Sequence, residues 1–140
     1  MVRRVQEIMD RYCEAFENGD FAAFVERCCL PFVSVWDQET LILRDHAALR
    51  RLFDREYAAI RHMPGLRIDY ELLTLAPQGA RLLSAVTILS GKINGNPAID
   101  PVTVVKVLRM ENDEWRLGAV MNPLMARLAQ HGEMSQEGGR

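Results

Sequence analysis

The sequence has no apolar run approaching the roughly 20 residues that a membrane-spanning helix needs. Its opening Met1-Val2-Arg3-Arg4 leads into an acidic, periodic stretch with no signal-peptide core. A cytoplasmic protein without a membrane partner is expected. A basic excess is also missing: 17 lysines and arginines stand against 19 acids, and the arginines are dispersed among them. That balance lacks the electrostatic footprint of a nucleic-acid binder. Cysteine is scarce and odd in number, and the adjacent Cys28 and Cys29 lack the two-residue gap of a zinc knuckle. Cys13, Cys28 and Cys29 therefore read as buried, reduced thiols. The histidines, His46, His62 and His131, share neither a strand nor an i,i+4 helical face. No metal and no other cofactor is expected. The absence of a glycine-rich phosphate loop and of a Gly-x-Ser-x-Gly elbow argues against nucleotide chemistry and acyl transfer.

What is present is a globular composition, 49% hydrophobic and 26% charged with six prolines. A chain of 140 residues buries enough surface to fold around one core without a disulfide or metal. One domain over 1–130 is expected, followed by a mobile polar tail over 131–140. Val5, Ile8, Met9, Tyr12, Cys13 and Phe16 recur at steps of three and four, which puts one apolar stripe on a first helix. Gly19 suits the left-handed position after that helix. Asp20 caps a short second one, whose spacing through Phe21, Phe24, Val25 and Cys28 runs to Pro31. Residues 32–36 and 41–44 read as a hairpin, and Asp45 caps a third helix with Leu49, Leu52, Phe53, Tyr57 and Ile60 on its stripe.

Leu66, Ile68, Tyr70 and Leu72 alternate with Arg67, Asp69 and Glu71, the mark of a strand with one buried face. Turns at Pro77-Gln78-Gly79, Asn94-Gly95-Asn96-Pro97 and Asn112-Asp113 separate further strands over 80–90, 102–110 and 115–121. Helices first and long strands after is α+β architecture, not an alternating parallel fold. Both faces of the late strands are apolar, with Leu82, Val86 and Ile88 on one and Leu83, Ala85 and Leu89 on the other. Three helices cover one face only, so the other is expected to meet a second copy, giving a homodimer through the sheet.

This order, with the runs Tyr12 to Asp20, Leu30-Pro31-Phe32, Val107-Leu108-Arg109-Met110 and Trp115-Arg116-Leu117, resembles the nuclear transport factor 2-like superfamily. The likeness is greatest to its SnoaL-like and ketosteroid-isomerase-like members, and it covers residues 2 to about 122. The resemblance implies three N-terminal helices packed in the concave face of a strongly curved, mainly antiparallel sheet, a cone-shaped α+β barrel around an apolar cavity. Fold alone leaves two functions open. One is a pocket protein that binds a small, largely apolar molecule as an isomerase, cyclase or hydratase. The other is a non-catalytic binding or accessory homodimer.

The resemblance also points to residues. Tyr12 stands seven residues before Gly19, the spacing at which ketosteroid isomerases place an oxyanion-stabilising tyrosine, although the same position centres the apolar stripe. The family's base position falls on Trp36. Asp37 follows one residue later, and alternation turns it to the other face unless a bulge intervenes. The family's second acid falls on Lys106, which interrupts Val102, Val104 and Leu108. Buried there, it becomes a proton acceptor or anion anchor; snorkelling, it reaches the cavity mouth. Tyr12, Asp37 and Lys106 are the catalytic candidates. Tyr12, Trp36, Tyr57, Tyr70, Lys106, Met110 and Met121 are the candidate lining of the pocket.

Overall fold

The computed structural model describes residues 1–128; the tail expected over 131–140, with His131, lies outside them. Helix α1 (Val2–Asn18) buries the expected stripe, and Gly19, at φ 64°, ends it in the left-handed conformation that glycine adopts without a Cβ clash. The Asp20 carboxylate accepts from the Ala23 N–H at 3.1 Å and starts α2 (Phe21–Glu26). This helix is shorter than its spacing suggests. Strand β1 (Cys28–Trp36) begins before Pro31, because the Leu117 N–H bonds the Arg27 carbonyl at 2.6 Å and draws Cys28 into the sheet. Pairing with a distant strand overrides the local helical period.

After β2 (Glu39–Leu43), the Asp45 carboxylate accepts from the Ala48 N–H at 2.8 Å and caps α3 (His46–Ile60). Four long strands follow: β3 (Leu66–Gly79), β4 (Leu82–Ile93), β5 (Asn96–Glu111) and β6 (Glu114–Met121). Asn94-Gly95 and Asn112-Asp113 turn with positive φ at both residues, the geometry that joins twisted hairpin strands. Several expected boundaries move: the strand expected over 41–44 is Glu39–Leu43 and that over 80–90 is Leu82–Ile93. Pro77-Gln78-Gly79 stays in β3, with the turn at Ala80 and Arg81, and β5 starts six residues early and carries both Pro97 and Pro101. Register shifts around Gly91 take up the irregularity that prolines impose on a ladder.

The six strands lie in the order β2-β1-β6-β5-β4-β3, antiparallel throughout except between β1 and β6. The helices pack on one face. Leu83, Ala85, Thr87 and Leu89 of β4 and Val104, Lys106 and Leu108 of β5 are buried beneath them. The core is aromatic where α1, α2 and α3 meet, with Phe16 and Phe53 at 4.7 Å and Phe24 and Phe53 at 5.2 Å between ring centroids. Helix α1 also covers edge strand β3: the Ile68 N–H donates to Glu17 Oε2 at 3.2 Å, occupying a group that an uncovered edge exposes. The opposite face carries Val86, Ile88, Val105 and Val107, partly exposed, with Ile42 54% and Met121 53% exposed near them. Among the described residues, no helix is long and apolar enough to cross a membrane.

Candidate functional site

Strand alternation and helical period bring three ionisable side chains into the core. Tyr12 lies on the buried stripe of α1, Glu56 on that of α3, and Lys106 on the covered face of β5, at 5%, 2% and 0% exposure. The Lys106 ammonium sits 4.1 Å from the centroid of the Tyr12 ring and donates to Met9 Sδ at 3.3 Å. The ring face and the thioether are its two electron-rich partners. Among the described residues no carboxylate forms an ion pair with Lys106, and no cation forms one with Glu56.

Burial sets the protonation of all three. It brings the Lys106 amine down to about 8, against a smaller upward pull from Cys13. It pushes the Glu56 carboxyl up to about 8, although the Arg55 guanidinium draws it the other way. It holds the Tyr12 phenol well above its usual range, and Glu56 adds to that rise. At neutral pH the core therefore contains a neutral acid, a neutral phenol and a cation with little driving force to keep its proton.

By alternation Trp36 belongs to the same sheet face as Lys106. Lys106 pairs with Val120 and Val120 with Ser34, so Ser34 and Lys106 share the covered face, and Trp36 lies two residues beyond Ser34. Its indole Nε1 is buried without a hydrogen-bond partner among the described residues. Glu39, opposite Trp36, takes both Arg55 guanidinium nitrogens at 2.7 and 3.0 Å, which fixes the hairpin to α3 beside Glu56.

The other sequence candidates spread out. Tyr57 stacks on Phe53 and lies against Gly19, where a Cβ would meet its ring at 2.6 Å. It lines a cleft of about 510 Å³ between α1 and the end of α3, together with Glu17, Met63 and Arg67. The Tyr70 hydroxyl lies 2.8 Å from Asp10 Oδ1 and 3.0 Å from the Gln6 carbonyl oxygen, bordering a second cleft of about 230 Å³ between α1 and β3. Cys13 forms part of that second cleft and interacts electrostatically with Lys106, so it stands between cleft and core. A third, apolar cleft of about 300 Å³ runs between β2 and α3. None of these clefts is lined by Tyr12 or Lys106.

Asp37 is not brought to Tyr12 and Lys106. It occupies the exposed β1–β2 turn, where its carboxylate accepts from Gln38 Nε2 at 3.1 Å. Met121 pairs with Val105 and Val35 on the open face, and alternation turns it away from the core. Met110 pairs with Trp115 at the far end of β5. Glu56 is the site residue that sequence reasoning missed. Its signal was its place, because the sequence Leu49, Leu52, Phe53, Glu56, Ile60 keeps the helical period through an acid.

No protein of curated function matches the chain. Solved structures do. A domain of unknown function with a cystatin-like fold from Nostoc punctiforme superposes with a TM-score of 0.65 at 10% identity, covering 94% of this chain and 83% of that one. An NTF-2 like protein of unknown function from Shewanella oneidensis gives 0.60 at 12% identity, covering 86% and 96%. A third, an NTF2-like protein of unknown function from Pseudomonas putida, gives 0.61 at 12% identity, covering 84% and 81%. At these identities the likeness establishes the fold. The model of the SnoaL-like domain matches residues 5–119, and the chain belongs to that family.

Proposed function

We propose that the core around Tyr12, Trp36, Glu56 and Lys106 is the binding site for a small, largely apolar molecule bearing one hydrogen-bonding oxygen. The observation that carries this reading is polar groups held in a dry, aromatic interior: the Trp36 indole nitrogen has no partner among the described residues, and the Lys106 amine has only the Met9 sulfur and the Tyr12 ring. The Trp36 indole nitrogen, the Glu56 carboxyl and the Lys106 amine are all buried, and packing alone gives no reason to keep them there. A ligand oxygen would give the indole, phenol and neutral carboxyl a shared acceptor. Lys106, with its amine near 8, can give or take a proton beside it, as an isomerase or hydratase requires. Entry would pass from the α1–β3 cleft past Cys13.

The test is a thermal-shift titration with cyclic ketones, 1-indanone and 2-cyclohexenone, on the wild type, Tyr12→Phe and Lys106→Met. A concentration-dependent rise of Tm in the wild type that both variants lose supports the reading. Equal shifts in all three proteins, or none in any, would sink it.

A second reading has its own observation: the clefts described above avoid Tyr12 and Lys106, as a filled core does. On that reading the protein is a non-catalytic accessory module that acts through its outer surface. Both readings share a homodimer, formed by a second copy on the open sheet face around Val86, Val105, Val107 and Met121. The exposed apolar side chains there are its support.

A further inference from the structure

A smaller cleft, of about 190 Å³, lies between the N-terminal half of α1 and the start of β6, separate from the core site. Arg4 and Arg11 are seven residues apart, two turns of one helix, so both guanidinium groups reach it from the same face of α1. Arg27 reaches it from the end of α2, where its backbone carbonyl is held by the Leu117 N–H. Ile8 and Trp115 supply an apolar floor and an indole wall.

The cations here are poorly spent within the protein. Arg27 Nε is buried with no hydrogen-bond partner among the described residues, and neither Arg4 nor Arg27 forms an ion pair among them. Two acids also border the cleft, Glu7 and Glu114, and Glu114 is drawn to Arg116 at 3.3 Å. Arg11 is shared with Glu14 at 3.3 Å. Three arginines against two glutamates leave one positive charge in excess. A single excess charge matches a monoanion and leaves a dianion undercompensated.

From this arrangement we infer that the cleft binds a small aromatic carboxylate. The carboxylate takes two parallel N–H donors from the terminal nitrogens of Arg27, whose Nε is buried, and a further contact from Arg4, the pairing for which a planar guanidinium fork is shaped. The ring lies against the Trp115 indole and Ile8. The volume corresponds to roughly six waters at about 30 Å³ each, room for a benzoate-sized molecule.

The experiment titrates sodium benzoate into the full chain at constant ionic strength, following the Trp115 indole and arginine Nε resonances by NMR. Inorganic phosphate and potassium chloride serve as the competing arms. The expected result is saturable movement of the Trp115 and Arg27 signals with benzoate, weakened about tenfold or more in Arg27→Gln and partly restored in Arg27→Lys. Arg4→Gln should weaken binding less, and it remains informative should Arg27→Gln fail to fold. Three results would overturn the inference: no saturation with benzoate, equal affinity in wild type and both glutamine variants, or phosphate moving the same signals as strongly as benzoate.

Discussion

Val107 and Leu108 are neighbours in one strand, yet they occupy opposite environments. Leu108 faces the helices and is fully buried; Val107 faces outward beside Val105 and Val86 and remains partly exposed. Their sequences hardly distinguish the two faces, since both are apolar. The difference lies in what each contains. The covered face holds Lys106 among its leucines, with Glu56 and Tyr12 above it, while the open face offers branched aliphatics and the half-buried pair Arg109 and Arg116, with no fully buried charged residue. A sheet face used only for packing needs no buried amine, and that polarity is what the proposed binding site rests on.

The widest gap between the faces should appear on truncation. Leu108→Ala leaves a cavity in a filled core and is expected to cost roughly 2–5 kcal/mol, whereas Val107→Ala should cost about 1 kcal/mol. Urea denaturation of the two variants measures both. Equal losses would erase the distinction between the faces.

A smaller effect should separate the faces by pH. The Glu56 carboxyl is held up at about 8, so its contribution to folding is full below the ordinary carboxylate range and is lost as the pH rises through 8. The Lys106 amine is lowered to about 8, so its burial penalty is full below that pH and is relieved as the pH climbs towards the ordinary lysine range. Stability should therefore fall from about pH 4.5 to about 8; above that the relief at Lys106 is opposed by the buried Cys13 and Cys28 thiols and the Tyr12 and Tyr70 phenols, which the fold holds protonated, so no sustained recovery is expected. Glu56→Gln should flatten the acid limb alone. A wild-type profile that peaks near 8 would contradict the account.

The smallest effect on folding is expected on the open face. Met121→Glu puts a charge on a half-exposed side chain and should change monomer stability by less than about 0.5 kcal/mol. In sedimentation the same variant should halve the mass of a dimer that uses this face. An unchanged mass would place any dimer contact elsewhere.

Much of the fold was legible because the local signals agreed. The stripes of α1 and α3, the caps Asp20 and Asp45, and the Asn-Gly and Asn-Asp turns each stand where the residues alone put them. Strand ends were less legible: Cys28 follows a helical period but joins β6, a partner 89 residues away in sequence that no local window contains. The parallel pairing of β1 with β6 is of the same kind. Within the site, Tyr12 and Lys106 could be placed by period and alternation. Glu56 was hidden by its own chemistry, since an acid on a helix reads as solvent-facing until its neighbours at three and four residues are weighed. The unpartnered Trp36 indole nitrogen and the arginine cleft exist only once separate elements meet, so sequence gives no hint of either.

The central claim is that the core keeps a buried cation for binding and gives up stability to do so. Urea denaturation of Lys106→Met at pH 7 tests it most directly, because methionine nearly matches the volume of lysine and removes only the charge. The account predicts a variant more stable than the wild type by roughly 1–3 kcal/mol, with an unchanged m-value. A variant less stable by 1 kcal/mol or more would show instead that the amine on the Tyr12 ring holds the fold together.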